Sequence, residues 1–364
     1  MKKLVRKASS FKGFTIGLDL HKKFVEFCVL NERGDEVESG RFDSTRENLL
    51  GFIGKWKKRG ALQTSLEACG CFVWVFDLLS AELTRERVHV GQPSRIHVIA
   101  NSMEKNDSND AWWLAYLLYE GRLPESYVVE GALRDLRIAS RELRSYTDQR
   151  GDLLRRLKSH FAQTGIKVPK SWQASKVGRT KMKALIAEVQ GERRRALEIL
   201  FKQIRQVGKQ MLYWRSRVEA LSRGLPAVEA IKREMPGFGT IISGAVIGEL
   251  GAPERFYNEK AYAKATGLTP GYRQSGGQGM VVGITRAGSR LARWGYTRAV
   301  IGCLRCKQGA GKQIRQWVEE RSRHKPKKKV IVAAARKLAE GVWRLFALGE
   351  AFNLARAFPV KSNG

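Results

Sequence analysis

A chain of 364 residues is too long for one ordinary hydrophobic core, so two or three domains are expected. Its 43% apolar content suffices to build such cores and excludes global disorder. The 67 basic residues outnumber 35 acidic ones, and the resulting net charge of +32 is a self-repulsion that a polyanionic partner would relieve.

The opening "MKKLVRK" resembles the basic segment of an export signal, but no apolar segment follows it. No apolar run approaches the ~20 residues of a membrane span, so a soluble, cytoplasmic protein is expected. From 14 to 42 the pattern is strand-like: "FTIGLDLH", then "KFVEFCVL", the turn "NERGDE", and "VESGRF" form a three-strand antiparallel meander. "STRENLLGFIGKWKK" has helical periodicity behind Ser44 or Thr45 as N-cap. A strand "TSLEAC", a helix over 72–86 and a short strand "VHVGQ" follow. "PSRIHVIANSM" reads as helix, and "SNDAWWLAYLLYEG" as a helix capped by Ser108 and stopped by Gly121. A meander followed by alternating helix and strand is the order of an RNase H-like α/β fold, and no G-x-G-x-x-G dinucleotide signature follows any strand.

At about residue 130 the charge changes character. Residues 1–130 hold 19 Lys and Arg against 18 Asp and Glu, whereas 131–364 hold 48 against 17. This fits a chemistry-bearing head (1–130) joined to a nucleic-acid-binding body. Residues 131–163 and about 180–222 read as two long, charged, antiparallel helices, a coiled-coil region over 131–224. A mainly helical domain is expected over 225–364. Within it "MPGFGTIISGAVIGELG" has the form of a helix-hairpin-helix, with Gly237 and Gly239 in a turn whose following amides can face a phosphate; an ordinary glycine turn between helices is the alternative. "RSRHKPKKK" reads as a basic loop, with Lys327, Lys328 and Lys329 placed to touch phosphate. "GAGKQ" is not an NTPase loop, because Cys306 and Gln313 stand where glycine and Ser/Thr are needed. The five cysteines show no disulfide framework and suit a reducing compartment. "CLRC" has the spacing of half a zinc site, but no second pair follows, and packing is the expected role of Cys303 and Cys306.

Four acids sit where such a fold would converge them. Asp19 ends the first strand, Glu67 ends "TSLEA", and Asp107 and Asp110 lie three apart at the start of the Trp-rich helix. Carboxylates near buried strand ends call for a cation, and Mg2+ prefers oxygen ligands. Asp110 also fits a first-turn helix acid and Asp107 a loop acid, whereas Asp19 and Glu67 each interrupt an apolar strand. His21, two residues beyond Asp19, reads as a solvent-facing strand-end residue able to assist.

These segments resemble, over nearly the whole chain, the DEDD transposases of insertion-sequence family one hundred and ten, the bridge-RNA-guided recombinases. "IGLDLHKK", "EACG" and "KNDSNDA" are similar to the family's three acidic motifs, and "MPGFGTIISGAVIGELG", "ATGLTPGYRQSGG", "ITRAGSRLARW" and "ARKL" to its second domain, in the same order. Cys69 departs from the usual threonine, and two tryptophans follow the third motif. The resemblance implies a RuvC-like domain whose Asp19, Glu67, Asp107 and Asp110 bind Mg2+, and a catalytic serine at Ser275. It also implies a structured bridge RNA pairing with target and donor double-stranded DNA, and a homo-oligomer: a dimer, with a tetramer on DNA.

Taken alone, "TPGYRQSGGQG" is a turn. In this setting Ser275 is the expected nucleophile, forming a phosphoserine–DNA link and freeing a 3′-hydroxyl for strand exchange. With no histidine beside it, its activation points to the distant acids and their metal, in a composite site joining the two domains, which the resemblance implies come from different protomers. Arg273 and Arg286 are placed to neutralise phosphorane charge or to grip the DNA backbone. The rival readings are a metal-dependent nuclease or junction resolvase that cuts with water, and a non-catalytic RNA-binding protein.

Overall fold

The first three strands, β1 (Phe14–Leu20), β2 (Phe24–Leu30) and β3 (Glu36–Asp43), pair as an antiparallel meander. Asn31 fixes the second turn, because its Oδ1 accepts from the amides of Arg33 and Asp35 while Gly34 takes a φ of 84°. The computed structural model describes residues 11–102, 110–275, 278–285 and 287–359. Its contacts divide the chain into two units, with the boundary between Val128 and Val129.

In the first unit α1 (Arg46–Lys57) begins at Thr45, whose hydroxyl accepts from the Asn48 amide, and buries Leu49, Phe52, Ile53 and Trp56 at helical spacing. β4 (Leu62–Glu67) then pairs parallel to β1. α2 (Phe72–Leu83) is shorter than the expected 72–86, because Thr84 adopts a φ of 106° that no helix can continue through. β5 (Val88–Gly91) pairs parallel to β4, and α3 (Pro93–Ser102) and α4 (Asp110–Tyr119) follow. The sheet order is β3-β2-β1-β4-β5. One face packs Ile16, Leu18, Val25, Phe27, Val29 and Leu66 on α1 and α2; the other packs Cys28 and Leu30 against Ala111 and Ala115 of α4.

In the second unit α5 (Gly131–Ala162) and α7 (Gly191–Ser222) are each 32 residues, about 48 Å long at 1.5 Å per residue. They run antiparallel: Leu136 and Ala139 near the start of α5 meet Val218 near the end of α7, while Leu157 and Phe161 meet Leu197 and Phe201. The single stretch expected over 180–222 is in fact two helices. α6 (Lys176–Ala187) stops before Gly191, whose φ of 63° turns the chain into α7.

The rest of this unit packs α8 (Pro226–Glu234), α9 (Thr240–Leu250), α10 (Glu259–Ala265), α11 (Arg290–Cys303), α12 (Gly309–Ser322), α13 (Lys327–Ala347) and α14 (Leu354–Ala357). α9 is buried continuously from Ser243 to Leu250 and forms the axis of a core that includes Val246, Tyr296, Val300, Trp317 and Leu338. Glu249 on this helix accepts from Arg141 of α5 and from the Ser289 hydroxyl. Cys303 is buried in the same core. Between α10 and α11, where only a glycine turn was expected, β6 (Pro270–Ser275) and β7 (Gln278–Ile284) form an antiparallel hairpin. The expected basic loop is also shorter than its sequence indicated, since Lys327, Lys328 and Lys329 form the exposed first turn of α13. Among the described residues no helix is long and apolar enough to cross a membrane.

Candidate active site

The β-pleat sorts the acids. Successive side chains on a strand alternate between faces. With Ile16, Leu18 and Leu20 committed to the α1–α2 face, Thr15, Gly17 and Asp19 fall on the face that α4 covers. By the same alternation Glu26 on β2 and Gln63, Ser65 and Glu67 on β4 share that face; Gln63 Nε2 donates to Thr15 Oγ1 across it at 2.9 Å. Register then aligns them along the sheet. Asp19 lies directly opposite Glu26, and the parallel pair Leu18–Leu66 places Glu67 one step beyond, beside Asp19. Gly17 permits the last approach. A Cβ there would stand 2.0 Å from the Ala111 carbonyl oxygen, so only glycine lets α4 settle on β1 and bring its first residue, Asp110, to this strand end.

The electrostatics report the crowding. The Asp19 side chain is only 14% exposed, and its Oδ2 lies 2.9 Å from His21 Nε2. Burial pushes the Asp19 carboxyl above its ordinary range; His21 opposes the shift, and Asp110 and Glu26 add to it. Burial likewise raises Glu67, with further lifts from Asp19 and Asp110 and a counter-pull from His97. Ligand atoms of Asp19, His21 and Glu26 lie within 4.8 Å of one another. Crowded, partly desolvated carboxylate oxygens with an adjoining imidazole are a donor set for a hard divalent cation, which offsets the burial and the repulsion that raise both acids.

Cys69, where the resemblance leads one to expect a threonine, packs beneath this strand end. Its thiol donates to the Leu20 carbonyl at 3.9 Å and lies 3.3 Å from Cys71 Sγ.

Of the other residues singled out from the sequence, Asp107, Arg286 and the cap Ser108 lie outside the described residues. Ser275 closes strand β6 with Gln278 as its register partner, and Arg273 pairs with Met280. The backbone of Ser275 is therefore part of a strand, next to the turn residues and not among them. Gly237 has a φ of 81° and packs so closely that a Cβ would stand 2.3 Å from the Ala299 carbonyl oxygen, while Gly239 is the N-cap of α9. His21 is the solvent-facing strand-end residue anticipated, at 46% exposure, and it bonds Asp19. Sequence reasoning missed Glu26 and His97. Glu26 was accessible to it, since a three-residue link after Leu20 fixes the hairpin register; His97 depends on where α3 lies and left no local signal.

A five-stranded mixed sheet bearing converging acids, followed by a mostly helical region, is the build of a DEDD nuclease-like transposase. Residues 16–166 match a family model described as Transposase, of the DEDD type in the IS110 group, and residues 230–315 match one described as Transposase IS116/IS110/IS902 family. Both matches are to models of IS110-family transposases, and they fall in chain order. It is 31% identical over 135 residues to y4pF/y4sB of Sinorhizobium fredii (strain NBRC 101917 / NGR234), a protein named as a transposase, covering 35% of this chain and 34% of that one. It is 25% identical over 123 residues to the transposase for insertion sequence element IS1328 of Yersinia enterocolitica, covering 33% and 36%. The chain thus matches about a third of the length of these curated relatives.

Proposed function

We propose that this protein is a DNA transposase or recombinase in which Asp19, Glu67, Asp107 and Asp110 hold Mg2+ and Ser275 is the nucleophile. The observation that carries the reading is the convergence of Asp19, Glu67 and Asp110 on one sheet face, with the carboxyls of Asp19 and Glu67 raised by burial and by neighbouring acids, in a chain that matches two transposase models in order. In this reading residues 1–130 form a RuvC-like domain, 131–224 a coiled-coil region, and 225–364 a serine-bearing domain with a helix-hairpin-helix.

When bound, the metal supplies polarisation of the scissile phosphate. Ser275 Oγ attacks phosphorus and the bond to the 3′-oxygen breaks. One proton leaves the serine and one reaches the departing oxygen, so the step is proton-neutral and the phosphodiester energy is kept in a phosphoserine link. Arg273 and Arg286 offset the phosphorane charge. Gly237 and Gly239 at the head of α9, and Lys327, Lys328 and Lys329 at the head of α13, grip nucleic-acid backbone. The lysines support this placement: three cations in a first helical turn oppose the helix dipole, by roughly 0.3–1 kcal/mol each, unless an anion faces them. A structured bridge RNA, with target and donor duplexes, and a homo-oligomer complete the scheme.

The test is a denaturing gel of the full chain with its RNA, Mg2+ and labelled DNA, comparing wild type with Ser275→Ala. A covalent protein–DNA band present in wild type and absent in Ser275→Ala supports the reading. Nicked DNA without a covalent band, undiminished in Ser275→Ala, replaces it with a nuclease that cuts by water.

A further inference from the structure

An uncommitted feature of the second unit is a cavity of about 620 Å³ among α5, α6, α7, α9 and α11. Its walls carry two tryptophans, Trp172 and Trp294, over an aliphatic floor. Its cationic side chains are not matched by a single Asp or Glu in the lining. Some of these cations are satisfied, as when Arg144 pairs with Asp148 and sits 5.1 Å from the Trp294 ring. Arg150 is not: its Nε is buried without a hydrogen-bond partner. The same holds for the Ser140 hydroxyl, on a residue only 3% exposed that also lines the cavity. Unsatisfied polar atoms of this kind are unfavourable by roughly 1–3 kcal/mol each and leave the wall of the cavity polar as well as cationic. Gly208 adds a third sign. It sits inside α7, where glycine weakens a helix, yet a Cβ there would meet nothing within 4 Å. No neighbour demands this glycine; the space it leaves is open to the cavity.

We infer that this cavity binds one nucleotide unit of a single-stranded nucleic acid, its base against the partly exposed Trp294 and its phosphate on the cationic rim. The choice of ligand rests on the nucleic-acid reading above. Aromatic walls suit any base face, guanidinium groups suit phosphate oxygens, and the volume falls within the ~300–1,000 Å³ of sites that enclose a small ligand, too small for a duplex. The exposed Arg205 and Lys209 on the rim then meet the phosphate oxygens. This division explains why apolar and strongly cationic surfaces share one cavity.

The test uses the purified full chain, stripped of nucleic acid and without metal, so that it does not depend on cleavage. Fluorescence anisotropy at 150 mM salt, a concentration that mutes non-specific charge contacts, compares a 12-nucleotide oligoadenylate with an abasic strand of equal length and charge. Wild type is expected to prefer the base-bearing strand about tenfold. Gly208→Leu fills the cavity while raising helix propensity, and it is expected to lose that preference and to keep its affinity for the abasic strand. A second variant, Arg205→Gln with Lys209→Gln on the rim, is expected to weaken the base-bearing strand more than the equal charge change Lys181→Gln with Lys183→Gln on α6. Equal binding of both strands by wild type, or an unchanged preference in Gly208→Leu and the rim variant, overturns the proposal. Competition by millimolar AMP identifies a site that accepts the free nucleotide; a preference that AMP leaves untouched identifies a strand-held one. Repeating the comparison in Ser275→Ala separates this result from the fate of the cleavage reading.

Discussion

Gly17→Ala tests how the acid site is assembled. The added Cβ would lie 2.0 Å from the Ala111 carbonyl oxygen and 2.5 Å from the Ala115 nitrogen. Real contacts of this kind do not fall below 3.0 Å, so α4 must retreat by about 1 Å. Both opposing atoms are backbone, and no rotamer change relieves them. Overpacking of this sort destabilises by about 1–3 kcal/mol, occasionally more, and the retreat carries Asp110, the residue before Ala111, away from Asp19 and Glu67. Hydrogen-exchange mass spectrometry on the full chain reads the first unit without assuming that the whole protein unfolds in one step. Protection of β1 and β4 amides is expected to fall by roughly 5- to 140-fold, the equivalent of that energy, and added Mg2+ to restore less of it than in wild type. Gly51→Ala is the control: its Cβ meets nothing within 4 Å on an exposed turn of α1, and it should stabilise by roughly 0.5–1 kcal/mol. If Gly17→Ala kept wild-type protection and a wild-type response to Mg2+, the claim that this glycine docks Asp110 would fall.

Two further outcomes follow from the buried titrating groups. Asp19 and Glu67 have folded pKa values raised above their ordinary 3.8 and 4.5, so the metal-free fold binds more protons than the unfolded chain, and its stability declines as pH rises through that window and then levels off. Metal-free Asp19→Asn should therefore resist urea better than wild type at pH 7, with the gap closing below about pH 4, and Mg2+ should stabilise wild type but not the variant. Burial pushes the thiols of Cys28 and Cys303 to about 12, so in native protein at pH 8 a disulfide reagent should leave both unmodified, and denaturant should release them.

The first unit was legible because its strands alternate cleanly. "FTIGLDL" commits Ile16, Leu18 and Leu20 to one face, and the acids follow on the other without further information. The second unit resisted where local pattern and packing disagree. The glycines around Ser275 conceal a hairpin, although a two-residue Gly276–Gly277 link between "YRQS" and "QGMVV" is a hairpin signal. "KPKKK" looks like a solvated loop because three lysines are poor first-turn residues, yet Pro326 starts a helix there. The break at Gly191 was hidden inside a charged stretch that is helical on both sides. The cavity of the second unit was not legible at all, since it is built from residues of five helices and the turn before α6, and only their packing assembles it.

The charge division now has a mechanistic sense. A cluster of Asp19, Glu26, Glu67 and Asp110 repels phosphate, and the first unit has no net cationic excess to overcome that repulsion: residues 1–130 carry 19 basic and 18 acidic side chains. Attraction of nucleic acid at long range must come from residues 131–364, with 48 against 17. Screening limits that attraction to about 8–10 Å per charge at physiological salt, so the cationic surface can recruit a polyanion but cannot by itself hold a phosphate against bare carboxylates. In the proposed reaction a cation is then needed at the acids before a phosphate can rest there. This predicts an order: nucleic acid should bind the full chain without Mg2+, with a steep salt dependence, and cleavage should appear only when Mg2+ is added. Equal DNA affinity in the isolated residues 1–128 and in the full chain would contradict it.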